Sequence, residues 1–504
     1  MSDLKPADIA QITARGTTVS AVEAQLARLR NPPPPIRLDR PCTMGDGIVR
    51  LEPDGWPVLL ERGDTAVVQG RVTKFVPASG AATRMFKDVI AALQGNKRPS
   101  ESAAGREFFT RLDQFAFAEE LRARAGVAGS PANEAEERRL LEAMLSGMRY
   151  AEQPKALIAF HRGNGVRTAF EEQLLEGIPY TRGQDGTCRM HFTVSPEHRP
   201  EIEALLQRLS PAIEARRRGT RLAISFSEQH PATDTVAIDD HGRPFRNADG
   251  SLLFRQAGHG SLLHNLQQLG GDLVVIKNID NVVPEEVNTE VVLWKRLLIG
   301  YLAELEGSAR EHLTALHQSG AGAGVVDAAA AFVERVFARR VAGDDVEARR
   351  RAVIAALDRP LRIAGVVRNE GEPGGAPFWT VGPDGRRTVQ IVESSQVDAH
   401  DSQQMDLFRT STHFNPVDII CALKRWDGSE FTLEDYVDPD TAFVVRKSAG
   451  GKDLTALERP GLWNGAMAGW NTVCVEVPAN TFAPVKTVFD LLRPQHQPPA
   501  TAVE

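Results

Sequence analysis

Apolar and polar positions along the chain follow two periods, one typical of strands and one typical of helices. Residues 72–76 are a short β-prone run that Pro77 closes, and residues 273–277 are a second apolar run of strand length. Over residues 82–93 the apolar side chains recur every three or four positions, as they do on one face of a helix. This change from strand to helix predicts an α/β fold.

Further elements repeat the pattern. Three more runs are predicted core strands: residues 157–160, 189–194 and 222–226. A helix is predicted at 197–217, and another is predicted to begin at Thr168 because Glu171 occupies the capping-box position. The order strand–helix–strand–helix predicts parallel strands in this part of the sheet.

The predicted organisation is a core with a segment at each end. Residues 1–70 contain helical stretches and a proline stop, and they are predicted to form a helical and irregular cover. Residues 71–440 are predicted to form the α/β core, and residues 441–504 a C-terminal segment. Helical periodicity predicts two insertions in the core, at about 98–150 and 291–358. Within the second insertion the expected helices are 291–305, 310–318 and 325–340.

Composition and charge narrow the class of protein. The chain has 504 residues, 42% of them hydrophobic and 25% charged, which is typical of a globular protein with a large core. The net charge of −7 argues against a nucleic-acid coat or a polybasic membrane binder. The four cysteines are scattered, the N-terminus lacks an apolar signal core, and no apolar run could span a bilayer. The prediction is a cytoplasmic protein that binds neither nucleic acid nor membrane.

The turn after the strand at 72–76 is the strongest chemical signal. It consists almost wholly of small residues and is followed by Thr83 and Arg84. A strand, a small-residue turn and a helix start can cradle a phosphate, because unpaired backbone N–H groups face the anion and a guanidinium can bind its oxygens. The alternative is a tight strand–helix connection in a core. Neither the P-loop nor the dinucleotide-binding motif occurs in the chain.

A second signal lies at residues 258–281. Gly258-His259-Gly260 opens a helix, and the strand at 273–277 ends in Asn278-Ile279-Asp280-Asn281. Ligands bind at the carboxyl ends of strands in doubly wound sheets, and a carboxylate there can hold Mg²⁺. The alternatives are an Asx turn for Asp280 and a helix-cap or core role for His259.

These residues resemble a known family. Residues 77–85 read P-A-S-G-A-A-T-R-M and are similar to the nucleotidyltransferase signature L-x-G-G-x-G-T-R-L, with Ser79 and Ala82 in place of two glycines. Further resemblances follow in chain order: Pro154-Lys155, Gln229, Gly258-His259-Gly260, Asn278-Ile279-Asp280-Asn281, the loosely similar Phe414-Asn415-Pro416-Val417-Asp418, and Pro484-Val485-Lys486-Thr487. The chain resembles the UDP-sugar pyrophosphorylase branch of the sugar-phosphate nucleotidyltransferases. Over nearly its whole length it also resembles an uncharacterised bacterial family of unknown function related to that branch.

The resemblance implies a fold and an activity. The implied fold is a Rossmann-like nucleotidyltransferase of the GT-A type, with a mixed sheet, helices on both faces and helical insertions. The implied enzyme is a Mg²⁺-dependent transferase that converts a nucleoside triphosphate, with UTP favoured, and a sugar-1-phosphate to a nucleotide sugar and pyrophosphate. The C-terminal segment would complete its site.

The resemblance also implies roles for individual residues. The triphosphate cradle would consist of Ser79, Gly80, Ala81, Ala82, Thr83 and Arg84. Lys155 and Lys486 would hold phosphates at the reacting centre, and Asp280 would hold Mg²⁺ with Asp418. Gln229 and Gly258 would contact the base, and His259 and Asn281 the sugar.

Two alternatives remain open. The replacements at Ser79 and Ala82 favour a non-catalytic sensor or scaffold that binds a nucleotide sugar, whereas Lys155, Asp280 and Lys486 favour an enzyme. A nucleotidyltransferase for a non-sugar phosphate acceptor is the other alternative, because no motif encodes the acceptor.

Overall fold

The computed structural model describes residues 4–163, 165–318, 320–371 and 374–498. In these residues the strands are β1 (Leu38–Pro41), β2 (Thr43–Met44), β3 (Gly47–Val49), β4 (Val72–Pro77), β5 (Ala159–Gly163), β6 (Gly165–Thr168), β7 (Thr187–Val194), β8 (Arg221–Glu228), β9 (Thr235–Ile238), β10 (Phe254–Arg255), β11 (Leu273–Lys277), β12 (Leu361–Arg368), β13 (Ala376–Val381), β14 (Arg387–Val392), β15 (His413–Ala422), β16 (Phe443–Ala449), β17 (Lys452–Glu458) and β18 (Asn471–Glu476).

The helices complete the order of elements. They are α1 (Pro6–Ala14), α2 (Val19–Arg30), α3 (Trp56–Val68), α4 (Lys87–Gln94), α5 (Ala103–Thr110), α6 (Ala118–Ala125), α7 (Glu134–Glu142), α8 (Ala169–Thr181), α9 (Arg199–Arg216), α10 (Leu262–Leu269), α11 (Thr289–His317), α12 (Ala323–Phe337), α13 (Val346–Leu357) and α14 (Ser402–Arg409).

The chain divides into two compact units. Unit 1 comprises Met1–Arg62, Gln229–Val275 and Leu298–Val477, and unit 2 comprises Gly63–Glu228, Ile276–Leu297 and Pro478–Glu504. Each unit therefore collects segments that are distant in sequence. The predicted division into residues 1–70, 71–440 and 441–504 stays a prediction.

Unit 2 contains a parallel sheet in the order β4-β7-β8. Lys74 on β4 is in register with Met190 on β7, which is in register with Ile224 on β8. Its main hydrophobic cluster joins residues of these strands to α8 and to the helices at 103–142, including the buried Phe108, Phe115 and Phe117. The phenylalanines of this segment, of which Phe115 and Phe117 lie between α5 and α6, therefore help to form the core of this unit.

Unit 1 contains both antiparallel and parallel strand pairs. Its larger sheet includes the order β2-β3-β18-β12-β15, in which β12 is parallel to β18 and antiparallel to β15. Two smaller sheets have the orders β1-β13-β14 and β10-β9-β17-β16. Parallel and antiparallel pairs in one sheet confirm the predicted fold class, a mixed α/β fold.

Two predicted elements differ from the structure. The helices expected at 291–305 and 310–318 are one helix, α11, because the buried apolar face continues through Leu302, Leu305 and Leu313 past Gly307-Ser308. The strand expected at 157–160 begins later, as β5, and pairs with β6 in a two-stranded ribbon instead of joining β4 and β7. Among the described residues, no helix is long and apolar enough to cross a membrane.

Candidate active site

The predicted cradle follows β4 in unit 2. Ala78 N–H donates to Thr193 O at 2.9 Å, which ties the start of the turn to β7. No protein acceptor is found among the described residues for the N–H groups of Ser79, Gly80 and Ala81. A Cβ on Gly80 would have open space around it. This geometry leaves three successive backbone donors for an anion.

The second half of the cradle differs from the prediction. Ala82 N–H donates to Gln153 O at 2.9 Å, and Lys155 N–H donates to Gly80 O at 3.3 Å. These bonds bridge the turn to the Pro154-Lys155 segment, so residues 82–84 form a single 3₁₀ turn and α4 begins only at Lys87. Thr83 Oγ1 donates to Ala151 O at 2.8 Å, whereas the Arg84 side chain is exposed. Ala82 thus contributes no free donor, and Arg84 is accessible to a ligand.

Lys155, Asp280 and Lys486 form one ionic group in unit 2, named here the Asp280 cluster. Lys155 Nζ lies 2.7 Å from Asp280 Oδ2 and donates to Val485 O at 2.8 Å. Lys486 Nζ lies 3.1 Å from the same Oδ2. Burial by itself would raise the pKa of Asp280, but the charges of Lys486 and Lys155 lower it below its usual value. The carboxylate is therefore ionised and neutralises part of the charge of both lysines.

Backbone bonds explain why these distant residues meet. Asp280 follows β11, and Ile279 N–H donates to Pro77 O at 3.4 Å, while Val485 N–H donates to Asp280 O at 2.9 Å. The N–H groups of Lys486 and Thr487 donate to Asp490 Oδ2 at 2.8 and 2.7 Å. The local turn at 486–490 and the bond from Val485 to Asp280 together fix the backbone position of Lys486.

Asp280 is suited to a divalent cation that is held mainly by substrate. Its Oδ1 is buried and has no hydrogen-bond partner. The described residues contain no group of three or more His, Cys, Asp or Glu side chains that could hold a metal ion. One free carboxylate oxygen fits Mg²⁺, which commonly binds through one or two carboxylates together with phosphate oxygens and water.

Asn281 offers a further buried polar group beside Asp280. Its Oδ1 accepts from Ala483 N–H at 3.0 Å, and its Nδ2 is buried without a partner. A buried amide without an acceptor is costly in a folded protein unless a ligand or water binds it. The Asn281 amide is therefore a candidate donor to substrate.

His259 lies in unit 1 with an aromatic and an acidic neighbour. Leu462 N–H donates to His259 Nδ1 at 3.0 Å, and the imidazole stacks on Trp463 with ring centroids 3.9 Å apart. Glu393 Oε1 lies 3.8 Å from His259 Nε2. Burial lowers the pKa of His259 to about 4, so the ring is neutral at pH 7 and Nε2 carries the proton. Sequence reasoning missed Glu393, which lies in no motif; only the fold brings it to His259.

The glycine loop and Gln229 are also placed within unit 1. Gly258 has a φ of +74°, and a Cβ on Gly260 would lie 2.1 Å from Pro460 O, so both positions require glycine. Gln229 Nε2 donates to Asp234 Oδ1 at 3.3 Å. The loop is thus a tightly constrained turn, and the Gln229 amide is oriented by a neighbouring carboxylate.

Asp418, the second predicted metal ligand, belongs to unit 1 and follows an unusual backbone. Val417 has a φ of +59°, a left-handed conformation that is costly for a β-branched residue. Asn415 holds it there, since Asn415 Oδ1 accepts from Val417 N–H at 3.1 Å and Nδ2 donates to Gly365 O at 2.7 Å. Such strain is common at functional sites. A shared ligand role for Asp418 and Asp280 stays a prediction.

A family model matches residues 5–497, and its description is "Domain of unknown function (DUF4301)". The sheets make this a mixed α/β protein. The match over residues 5–497 shows that the chain belongs to this family. This confirms the family membership that its motifs predicted. No curated protein matches the sequence.

Three similar solved structures are named as pyrophosphorylases or a phosphorylase of UDP-sugars. The UDP-N-acetylglucosamine pyrophosphorylase of Trypanosoma brucei, in complex with an inhibitor, is 13% identical, with 98% of this chain and 84% of that chain covered and a TM-score of 0.49. The UDP-glucose pyrophosphorylase of Leishmania major, solved in open and closed structures, is 13% identical, with 98% and 79% covered and a TM-score of 0.46. A UDP-glucose phosphorylase of Trypanosoma brucei is 14% identical, with 96% and 77% covered and a TM-score of 0.46. Because these TM-scores lie below 0.5, the fold class rests on the sheets described above.

Proposed function

We propose that this protein is a nucleotidyltransferase that joins a nucleoside triphosphate to a sugar-1-phosphate and releases pyrophosphate. The observation that carries the proposal is the Asp280 cluster, in which one ionised carboxylate is shared by two lysines. The cluster follows β11, whose end is bonded to the end of β4 where the cradle begins. Cations and backbone donors converging at strand ends are what a triphosphate requires.

The lysines retain donors for phosphate oxygens. An ammonium group has three N–H donors. Lys155 uses two of them, on Asp280 and Val485, and Lys486 uses one, on Asp280. The Lys486 side chain is 55% exposed, whereas that of Lys155 is 13% exposed. Lys486 is thus the more accessible cation, and Lys155 is the more rigidly held one.

The reaction needs no side-chain nucleophile. An oxygen of the sugar-1-phosphate attacks the α-phosphorus, the bond from that phosphorus to the bridging oxygen breaks, and pyrophosphate leaves with the electron pair. Catalysis then consists of holding the reactants in line and stabilising the charge that develops on phosphate oxygens. Backbone donors at Ser79, Gly80 and Ala81 with Arg84 would hold the triphosphate, and Lys155 and Lys486 would stabilise the reacting phosphates.

The remaining roles follow the predicted assignment. Asp280 would hold Mg²⁺ through its free oxygen, and the bound ion would supply charge neutralisation for the phosphates. Gln229 and Gly258 would contact the base, with UTP the favoured nucleotide. His259 and Asn281 would bind the sugar through a neutral imidazole N–H and a side-chain amide.

One observation favours the second candidate, a protein that binds a nucleotide sugar without turnover. Ala82 N–H is committed to Gln153, so the cradle has one donor fewer than its sequence suggested. A binder needs only the ground state of the ligand, whereas an enzyme needs groups that act in the transition state. A phosphate acceptor other than a sugar-1-phosphate would use the same Asp280 cluster.

The test is pyrophosphate release from purified protein offered each nucleoside triphosphate, a pool of sugar-1-phosphates and Mg²⁺. The expected result is release that requires both substrates and is about 100-fold slower or more in Asp280→Asn, while the exposed Lys97→Met control releases at the wild-type rate. Release with acceptors other than sugar-1-phosphates would redefine the acceptor. Saturable nucleotide-sugar binding without release would establish the binder, and neither binding nor release would overturn both candidates.

A further inference from the structure

A second carboxylate between two lysines lies in the interior of unit 2. Glu176 on α8 binds Lys277 Nζ through Oε2 at 2.6 Å and Lys74 Nζ through Oε1 at 3.2 Å. Tyr180 Oη donates to the same Oε1 at 2.8 Å. The three charged side chains are at most 1% exposed. Lys74, Glu176 and Lys277 are named here the Glu176 cluster.

The two lysines of this cluster stand on the strands that lead into the candidate active site. Lys74 is on β4, which ends before the cradle, and Lys277 is the last residue of β11, shortly before Asp280. One turn earlier on α8, Gln173 Nε2 donates to Asn278 O at 2.8 Å, and Gln173 O accepts from Lys74 Nζ at 2.7 Å. One helix thus holds both strands.

The packing around α8 allows this close approach. A Cβ on Gly177 would lie 2.6 Å from Met190 Cε and 3.1 Å from Lys74 Cδ, so the glycine leaves room for the Lys74 stem beside the helix. Burial by itself would raise the pKa of Glu176, but the charges of Lys277, Lys74 and the buried Lys295 lower it to about 2, so the carboxylate is ionised. Burial lowers the pKa of Lys74 to about 7, although the charge of Glu176 opposes that shift. Every charged group of the cluster therefore has a direct partner.

Stability alone does not explain this arrangement. Replacing a complete buried ion pair by apolar side chains of similar volume is often neutral or stabilising. Hydrogen-bonded ion pairs also fix the relative position of the groups that carry them, because each lysine must bind one particular carboxylate oxygen. We propose that Glu176 and Gln173 are positioning residues that set the placement of the phosphate cradle relative to Asp280. The kinetic consequence of this inference rests on the proposed function, but its structural consequence does not.

Three variants test the proposal. Gln173→Leu removes the bonds from Gln173 Nε2 to the carbonyl oxygens of Asn278, Ile279 and Asn281, and it keeps every ion pair. The triple variant Lys74→Met, Glu176→Leu and Lys277→Met replaces the charges by apolar volume. Thr181→Val is the matched control, because Thr181 is buried on the same helix and its Oγ1 donates to Gly177 O, within α8.

Two measurements are made on each folded variant. The first is kcat and KM for pyrophosphate release, and the second is amide hydrogen exchange of residues 278–283, which needs no substrate. We expect Gln173→Leu and the triple variant to lower kcat about 10-fold or more, because small misplacements of reacting groups are costly, with KM for the nucleotide nearly unchanged. Exchange at 278–283 should become faster, and Thr181→Val should change neither quantity.

The outcomes separate the two proposals. Wild-type kcat and wild-type exchange in folded Gln173→Leu would overturn the positioning role. If the wild-type protein releases no pyrophosphate, the proposed function fails, and exchange at 278–283 still decides the positioning role: faster exchange supports it and unchanged exchange overturns it. If the triple variant does not fold, Gln173→Leu gives the same decision.

Discussion

The two lysine–carboxylate clusters of unit 2 have the same charged groups and different surroundings. In the Glu176 cluster each carboxylate oxygen binds a lysine, and all the side chains are buried. In the Asp280 cluster both lysines bind the same oxygen, the other oxygen has no partner, and Lys486 is half exposed. The interior cluster is complete, whereas the one at the strand ends has groups left over for a ligand.

One type of ion pair therefore serves two purposes in this unit. A buried charge is tolerated when its partners satisfy it, and removing one partner then leaves an isolated charge away from water. An accessible cluster with spare donors and a spare acceptor can exchange its internal bonds for bonds to a phosphate or a cation. The two clusters differ less in charge than in whether each of their hydrogen-bonding groups has a partner.

The largest effect is expected on the free energy of unfolding when the Glu176 cluster loses its carboxylate. Glu176→Gln leaves Lys74 and Lys277 facing a neutral amide in the core, and we expect a loss of about 3–5 kcal/mol in the free energy of unfolding. Urea denaturation measures it, with Thr181→Val as the control. A loss no larger than that of the control would show that the cluster has no special role in the fold.

The second-largest effect is expected at the carboxylate of the Asp280 cluster. Asp280→Asn should lower kcat for pyrophosphate release by a factor of about 10²–10³, corresponding to about 3–4 kcal/mol of lost transition-state stabilisation. Its free energy of unfolding should fall less than that of Glu176→Gln, because Lys486 can turn to water. Steady-state kinetics and urea denaturation of the same preparation check both statements, and near-wild-type turnover would contradict the assignment.

The two lysines of the Asp280 cluster should differ from each other. Lys155→Met leaves both Asp280 and Val485 O short of a donor, so we expect a loss of about 1–3 kcal/mol in unfolding free energy together with a loss of activity. Lys486→Met removes a half-exposed partner and should cost about 0–1 kcal/mol while still lowering kcat. Equal stability losses in the two variants would contradict the view that Lys155 is the structural member.

The smallest expected effect is a difference in acid sensitivity. The folded pKa of Glu176 is lowered to about 2 from an ordinary value of 4.5, so its stabilising contribution is complete above pH 4.5 and is lost as the pH falls towards 2. Between pH 5 and 3.5 the wild-type protein should lose about 1 kcal/mol more than the triple apolar variant. Urea midpoints at the two pH values measure the difference. Equal losses of unfolding free energy in the two proteins would show that the lysines do not lower the pKa of Glu176.

Local elements with strong patterns were predictable from sequence. The strand at 273–277 matches β11, and Thr168 caps α8 as expected, with its Oγ1 accepting Glu171 N–H at 3.2 Å. Elements that depend on distant packing were not. Gly307 did not break α11, and β5 pairs with β6 instead of the sheet, because burial and partner strands decide these outcomes.

The candidate site shows the same division. Lys155, Asp280 and Lys486 were singled out from sequence, and the structure joins them across separations of 125 and 206 residues. Nothing in the sequence indicated a role for Glu176, because a glutamate on a helix is expected to be exposed to solvent unless its surroundings are known. Ala82 resembled a cradle residue, but its N–H donates to Gln153 O, and only the fold brings Gln153 beside the turn.

By itself the sequence determined the α/β class, the local turns and the identities of the cations and carboxylates, because these depend on residue type and short-range spacing. The order of its motifs along the chain indicated the family and, through it, a mixed sheet. The tertiary structure alone decided which carboxylate oxygens are satisfied and which lysines remain accessible. Both clusters consist of ordinary lysines and acids. Burial and the geometry of neighbouring backbone distinguish them, and those arise only when segments far apart in the chain pack together.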